Sequence, residues 1–299
     1  MPELPDVELY VAALRRHVGG RAIRRVRVPS PFFVRTFDPP VHALEGRSVR
    51  AITRMGKRLV WALDDDLFVV VHLMIAGRMR WRDKGAAIPA KVGLAAFDFD
   101  EGTLLFTEAG SRKQASMHVV RGREAAHAMD PGGADVFSMS RDAFASALRA
   151  SNHTLKRQLT DPHVFSGIGN AYSDEILHAA QLSPVSLTQS LTDEEIARLF
   201  DAVRSVLREW TARLQQESGG EFPEKVTAFR PGMAVHGRYG KPCPRCSAPV
   251  QRIVYARNEA NYCAACQTGG RLLADRALSR LLREDWPKTL EELERAKRR

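Results

Sequence analysis

Four cysteines, Cys243, Cys246, Cys263 and Cys266, form two C-x₂-C pairs sixteen residues apart, and the chain has no other cysteine. Four thiolates at this spacing supply the tetrahedral ligand set that Zn²⁺ prefers. Because protein would fill all four positions, one zinc ion per chain would be structural and could not itself activate water. The flanking segments QRIVYAR and ANYC predict two short strands, and hence a zinc-ribbon hairpin. Iron–sulfur ligation is the alternative.

A second stretch with chemical potential is FSGIGNAYSDEIL, residues 165–177. Gly167 and Gly169 predict a tight turn, with Asn170 as the cap of a helix that starts at Ala171. Amide groups at a helix N-terminus form an anion site suited to a phosphate. A lone G-x-G is a weak signal, so an ordinary loop and helix cap is the alternative.

The first half of the chain is rich in short β-type runs. Apolar residues at helical spacing predict a helix over residues 5–18, with Pro5 in its first turn. Closely spaced strands are then predicted, and FDFDEGTLLF is typical of a hairpin. The runs favour a β-sandwich capped by the first helix; they are IRRVRVP, SVRAITRM, RLVWAL, LFVVVHLMI, GRMRW, VGLAAFDF, TLLFTE and ASMHVV.

The second half is helical. Ser140 is the predicted cap of RDAFASALRA, and Thr192 with Glu195 forms a capping box before a long helix that ends near Gln216. These patterns divide the chain into five parts: a strand-rich domain at 1–130, a linker at 131–139, a helical domain at 140–235, the finger at 236–270 and a basic-acidic tail at 271–299.

The net charge of +10 indicates an anionic partner, of which nucleic acid is the commonest large one. A generally basic protein without such a partner is the alternative. No apolar run approaches the roughly 18 residues that span a bilayer, and the start MPELPDVE is acidic, unlike a secretory signal. We therefore expect a cytoplasmic protein with no membrane association, at the nucleoid if the source is prokaryotic.

PELPDVE, GIGNAYSDE and the C-x₂-C-x₁₆-C-x₂-C module stand in an order that resembles the formamidopyrimidine-DNA glycosylase/endonuclease VIII family of bifunctional base-excision repair enzymes. MGKRLVW and HLMIAG also match segments of that family, so the resemblance covers nearly all of residues 1–268. It implies an α+β multidomain fold with an N-terminal β-sandwich and a helix–two-turns–helix domain that bears the zinc finger. The resemblance also implies that the enzyme is a monomer. Its implied partner is double-stranded DNA that contains damaged bases or abasic sites.

The resemblance assigns the catalytic chemistry to Pro2, Glu3 and Lys57. Removal of Met1 would expose Pro2 as a secondary amine able to form an iminium with C1′ of a damaged nucleotide. Glu3 is suited to proton transfer at the sugar, and strand cleavage by β- and then δ-elimination follows from the iminium. Lys57 would meet the phosphate beside the lesion. The alternatives are that Pro2 only sets the helix entry and that Lys57 is an ordinary strand lysine.

Other positions follow the family with less independent support. His72 and Asn170 match phosphate-contacting residues, and Glu175 matches a glutamate near the pocket of the everted base. A packed strand histidine and a helix-surface glutamate are the alternatives. Ile75 with Met74 would fill the gap left by the base, unless both are core strand residues, and Arg112 is a candidate for the second part of this wedge.

Two departures from the family pattern concern the finger and the lid. In the family, an arginine five residues before the third cysteine grips the DNA backbone at the lesion. Here Asn258 replaces it, and Arg257, one place earlier at the hairpin tip, is the residue we expect to reach a phosphate. The segment between Gly220 and Val235 is short for a lid that clasps an oxidised purine, which favours pyrimidine lesions, abasic sites or an unusual adduct over 8-oxoguanine. A lesion-binding protein without turnover and a zinc-ribbon protein acting on RNA are the alternative functions.

Overall fold

A computed structural model describes residues 1–110, 112–255, 258–274 and 287–298. The chain divides into two compact units, of which unit 1 comprises Met1–Gly133 with Arg208–Ala228 and unit 2 comprises Ala134–Leu207 with Phe229–Arg299. By its contacts, the segment Arg208–Ala228 thus belongs to unit 1. The predicted domain boundaries stay predictions.

Unit 1 opens with helix α1, Leu4–Val18, at the predicted place. Pro5 lies in its first turn, where the missing N–H removes no helical hydrogen bond. The N–H of Glu3 donates to the carboxylate of Asp6 at 3.0 Å, so the start of the helix satisfies its own backbone. This capping fixes the backbone beside Pro2.

The predicted strands of the first half are confirmed, and they form two four-stranded antiparallel sheets. One sheet has the order β1-β6-β7-β5 and the other β2-β3-β4-β8. Their bounds are β1 Arg25–Arg27, β2 Val49–Met55, β3 Arg58–Leu63, β4 Leu67–His72, β5 Gly77–Arg82, β6 Gly93–Asp98, β7 Thr103–Glu108 and β8 Ser116–Arg121. Helix α2, Arg123–His127, follows β8.

The core of the sandwich is aromatic at its centre. Trp61 packs edge-on against Phe97 at a centroid distance of 5.6 Å, and Phe97 lies 5.3 Å from Phe106. Alternate residues of β3 are buried, as expected for a strand with one face on the core. Phe222 and Val226, which follow the long helix in sequence, join this same cluster. The core therefore anchors a segment far removed in the chain.

Unit 2 is helical and then carries a hairpin. Its helices are α3 Arg141–Arg149, α4 Leu155–Thr160, α5 Asn170–Ala180 and the first part of α6 Asp193–Glu217. Two capping predictions are confirmed: Ser140 Oγ accepts the N–H of Ala143 at 3.2 Å, and Thr192 and Glu195 form the reciprocal capping box at 3.0 and 3.2 Å.

The predicted zinc-ribbon hairpin is also confirmed. Strands β9, Val250–Tyr255, and β10, Asn258–Cys263, pair antiparallel, and α7, Ala264–Thr268, follows directly. Helix α8, Leu290–Arg298, lies in the tail. Among the described residues, no helix combines the length and the apolar composition needed to cross a bilayer.

Candidate functional site

Charged side chains of unit 1 act electrostatically on the amino terminus. Burial lowers the pKa of the terminal amino group of the chain that begins with Met1. The positive charges of Arg78 and Lys57 lower this pKa further, while the Glu3 and Asp6 carboxylates oppose the change. Glu3 itself is 3% exposed. An amine with a lowered pKa is more often unprotonated near neutral pH, which is the state a nucleophile requires.

Lys57 lies in the turn between β2 and β3. The preceding residue, Gly56, has a φ of 60°, a backbone conformation that favours glycine. Burial lowers the pKa of Lys57, and the Glu3 carboxylate partly restores it. The structure therefore brings Lys57, Glu3 and the amino terminus into one electrostatic group, as the catalytic prediction requires.

His72 is the last residue of β4 and is the register partner of Arg58 on β3. Burial lowers the pKa of His72 to about 4, and the positive charges of Arg58 and Lys57 act in the same direction. A neutral imidazole at pH 7 contacts a phosphate through its N–H and not through a full charge. His72 is half-buried at the end of its strand, and the alternative of a packed strand histidine stays open.

Met74 and Ile75 lie in the turn between β4 and β5. Ile75 is 63% exposed and Met74 has a φ of 52°. The interpretation as core strand residues is therefore wrong. The turn closes tightly, since a Cβ on Gly77 would stand 2.2 Å from the Leu73 carbonyl oxygen, to which the Gly77 N–H donates. This tight turn leaves the Ile75 side chain exposed to solvent.

Arg112 is exposed in the loop between β7 and β8. No pattern in the sequence predicts which residue binds this loop. Glu108, 1% exposed, accepts the N–H of Gln114 and of Ala115 through its carboxylate, at 2.9 to 3.1 Å. The buried Glu108 carboxylate thus holds the backbone at Gln114 and Ala115, two and three residues after Arg112.

Arg78 is a second residue that sequence reasoning missed. Its Nε donates to the Val226 carbonyl oxygen at 2.6 Å, and its Nη1 donates to the Ile75 carbonyl oxygen at 3.1 Å. It thus joins the apolar turn to the segment after α6 while its charge acts on the amino terminus. In the sequence, the one indication of a role for Arg78 is the alternation of side chains along β5, which places Arg78 and Arg80 on the same face of the strand.

In unit 2, α5 begins at Asn170, with Gly169 as its cap, one residue earlier than predicted. Gly167 has a φ of 85°, which favours glycine, whereas Gly169 has an ordinary φ of −132°. A buried lysine lies at this end: Lys156 Nζ donates to the Asn170 carbonyl oxygen at 2.9 Å and to Ser173 Oγ at 3.1 Å. The sequence carried no signal for this lysine.

Asp174 and Glu175 bind α5 to the following segments. Asp174, fully buried, pairs with Lys156 and also accepts His236 Nδ1–H at 2.8 Å and Asn261 Nδ2–H at 3.1 Å. Glu175 accepts the backbone N–H groups of 234–236 at 2.6 to 2.9 Å. Burial raises the pKa of Glu175, and these three hydrogen bonds oppose that rise. The alternative of a helix-surface glutamate is therefore wrong.

The four cysteines converge as the zinc prediction requires. Their sulfur atoms all lie within 4.8 Å of one another, with Cys243 Sγ 3.9 Å from Cys266 Sγ. Four sulfurs about 2.3 Å from one zinc ion would have such separations. The arrangement fits a single tetrahedral ion and disfavours an iron–sulfur cluster, in which the thiolates bind different metals.

The tip of the finger is the part of the site that the structure describes least. Asn258 begins β10 and pairs with Tyr255 in register, but its side chain lies outside the described residues. Arg257 falls outside them altogether, and its proposed phosphate contact stays a prediction.

Three family profiles match the chain in order. They are "Formamidopyrimidine-DNA glycosylase N-terminal domain" at residues 1–117, "Formamidopyrimidine-DNA glycosylase H2TH domain" at 130–218, and "Zinc finger found in FPG and IleRS" at 240–269. The last profile ends just past the fourth cysteine, which confirms the predicted finger and its zinc.

Individual relatives agree with the profiles along most of their length. The chain is 31% identical to a formamidopyrimidine-DNA glycosylase of Desulforamulus reducens over 281 residues, which cover 89% of this chain and 99% of the relative. It is 32% identical to the Thermus thermophilus enzyme of that name over 279 residues, 90% and 100% of the two chains. A solved structure of a Lactococcus lactis mutant with Fapy-dG-containing DNA matches with a TM-score of 0.78 at 25% identity, covering 89% of this chain and all of that one.

Proposed function

The chain belongs to the formamidopyrimidine-DNA glycosylase family, and from that premise we propose that this DNA repair glycosylase is also an AP lyase whose nucleophile is Pro2. Its substrate is double-stranded DNA that contains a damaged base or an abasic site. The Lactococcus lactis relative was crystallised with such a DNA, one containing Fapy-dG.

The observation that carries the proposal is the group formed by the amino terminus, Glu3 and Lys57 in unit 1. The pKa of the terminal amine is lowered by burial, and both side chains act on it electrostatically. Removal of Met1 leaves the Pro2 nitrogen as a secondary amine beside the same charges. A secondary amine with a carboxylate and a cation nearby makes up the set that an iminium mechanism uses.

In the proposed reaction the Pro2 nitrogen bonds to C1′ as the N-glycosidic bond breaks and the base leaves with a proton. The sugar ring opens as Glu3 moves a proton to the ring oxygen, which leaves an iminium between Pro2 and C1′. The iminium acidifies C2′, so loss of its proton expels the 3′ phosphate, and a further elimination expels the 5′ phosphate. Lys57 stabilises the charge of the phosphate beside the lesion.

The remaining residues hold the DNA. We assign phosphate contacts to His72 and Asn170, and Arg257 or Asn258 takes the place of the family's finger arginine. Ile75, with Met74 beside it, and Arg112 occupy the space of the extruded base. The exposed turn of Ile75 and the exposed position of Arg112 support this wedge. Glu175 acts through the 234–236 backbone that it holds.

The range of lesions follows from the segment after α6. Phe222 and Val226 are buried in the sandwich core, and Glu224 forms an ion pair with Arg82 at 2.5 Å. Since these contacts fix the first half of the segment, little chain is left for a lid over an oxidised purine. We propose pyrimidine lesions and abasic sites as the preferred substrates, and a panel of single-lesion duplexes with 8-oxoguanine among them tests this directly.

Borohydride trapping tests the mechanism. Purified protein is incubated with a duplex that contains one abasic site, borohydride is added, and the covalent adduct is resolved by mass. We expect an adduct in the wild-type protein and a much weaker one in Pro2→Gly, in which a primary terminal amine replaces the secondary amine of proline, whereas Pro5→Gly, changed in the same segment, should retain the full adduct. Mass spectrometry should find Met1 absent from the active protein.

Three results would count against the proposal. Retention of Met1 in a fully active preparation would remove Pro2 as the nucleophile. Tight binding with neither adduct nor nicking would favour the lesion-binding protein without turnover. A preference for structured RNA over the damaged duplex would favour the RNA-binding alternative.

A further inference from the structure

One hydrogen bond links the metal centre to a helix outside the finger. His178 Nε2 lies 3.2 Å from Cys243 Sγ, and the two residues are 5% and 2% exposed. His178 belongs to α5, while Cys243 belongs to the first C-x₂-C pair, 65 positions later in the sequence. The imidazole therefore contacts one of the four cysteines that would bind zinc, and it would not bind the ion itself.

A zinc-bound cysteine is a thiolate, which can only accept hydrogen bonds. An N–H aimed at its sulfur draws charge from the sulfur and fixes the direction of its lone pairs, and partners of this kind strongly affect metal affinity. Because both groups are buried, water cannot replace the donor if His178 is lost. The neutral tautomer with its proton on Nε2 supplies that donor.

A second side chain ties the other cysteine pair to the same region. Gln267 Oε1 accepts the N–H of Cys263 at 2.8 Å, and Gln267 Nε2 donates to the carbonyl oxygen of Leu182, just beyond α5, at 2.9 Å. One member of each cysteine pair is thus connected to α5 or its end. The ligand geometry consequently depends on α5 as well as on the hairpin.

We propose that His178 is a positioning residue for the zinc centre: its Nε2–H···Sγ hydrogen bond to Cys243 retains the metal and holds the finger on α5. The role differs from that of a packing residue, because it requires a donor at one point in space. Gln and Met have nearly equal length, and only Gln can place an N–H where the imidazole places Nε2. They form a matched pair for the test.

The test measures zinc release from the full-length holoprotein with an excess of a chromogenic chelator. We expect His178→Met to release zinc about tenfold faster than wild type and His178→Gln to stay within a few-fold. In the cobalt-substituted proteins, the sulfur-to-cobalt charge-transfer band should shift in the Met variant and stay near its wild-type position in the Gln variant. His163→Gln, at an exposed position, is the control and should match wild type in both measurements.

Wild-type release from His178→Met would overturn the proposal. Equal acceleration in the Met and Gln variants would do so too, since shape and not the donor would then matter. If the Met variant yields no folded holoprotein, the unmodified chain loaded with ¹¹³Cd decides. A His178 ring N–H proton with scalar coupling to the cadmium supports the hydrogen bond, and a ring N–H that exchanges freely with solvent and shows no coupling refutes it.

Discussion

Replacing Lys57 and His72 separately should alter the salt dependence of DNA binding in different ways. A protein cation that neutralises a phosphate releases condensed counterions, and each such contact adds about 0.9 to the slope of log affinity against log salt. Burial lowers the pKa of His72 to about 4, so its imidazole is neutral at pH 7. A neutral imidazole can strengthen binding through its N–H, but it releases no counterion.

The expected magnitudes follow from that difference. Between 50 and 200 mM salt, a slope change of about 0.9 corresponds to an affinity ratio that changes about 3.5-fold. The loss of DNA affinity in Lys57→Met should therefore be larger at 50 mM salt than at 200 mM, where the affinity should approach that of the wild type. His72→Leu should lose the same factor at both concentrations, because the neutral contact adds nothing to the slope.

Fluorescence anisotropy on a duplex with a tetrahydrofuran abasic analogue gives these affinities without any reaction. Lys84→Met is the matched control, because Lys84 is 63% exposed and lies 3.5 Å from Asp100. The reasoning fails if His72→Leu flattens the salt dependence as much as Lys57→Met does, since His72 would then be charged in the complex. It fails equally if Lys84→Met reproduces the Lys57 effect, since the slope would then report overall charge.

Three further changes probe the groups that position the site. Arg78→Met should move the pH profile of borohydride trapping to higher pH, because Arg78 lowers the pKa of the amine at Met1 and its positive charge should act in the same direction on the Pro2 amine once Met1 is removed; an unmoved profile, or the same shift in Arg82→Met, would contradict this. Glu108→Ala should lower the free energy of unfolding by about 1–3 kcal/mol in urea titrations, because two loop amides lose their acceptor; unchanged stability would show that the loop needs no anchor. Glu175→Ala should lower the free energy of unfolding by about 3 kcal/mol in the same assay, because three backbone amides lose their acceptor. A smaller decrease than that of Glu108→Ala would refute the comparison.

The local signals in the sequence predicted the elements well because each depends on near neighbours. The Thr192 and Glu195 capping box acts over three residues, and both of its hydrogen bonds form. The hairpin FDFDEGTLLF needs only a turn between two alternating runs, and β6 pairs with β7 as expected. The segment 221–228 carried no such signal, because its structure comes from Phe222 and Val226 packing in a core formed by distant residues.

The site was predicted less completely, and the reason is also physical. Pro2, Glu3 and the cysteines carry their chemistry in residue type and spacing, so a motif can identify them. Arg78 and Lys156 act through partners 148 and 14–18 positions away. Neighbouring residues in the sequence do not indicate such a partner, so nothing distinguishes Arg78 and Lys156 from the other basic residues of the chain.

Helix α5 shows why the usual rule for helix faces failed at Glu175. The rule assigns charged residues to solvent and apolar residues to the core, yet residues 171–178 of this helix are all buried. Its acidic side chains and His178 have partners from other segments: Asp174 binds Lys156, Glu175 binds the 234–236 amides and His178 meets Cys243. Burying a charge without a partner would cost several kcal/mol. The helix can therefore fold in this environment only together with the segments that satisfy it, which makes Asn170 at its first turn and the zinc centre near its end parts of one cooperative structure.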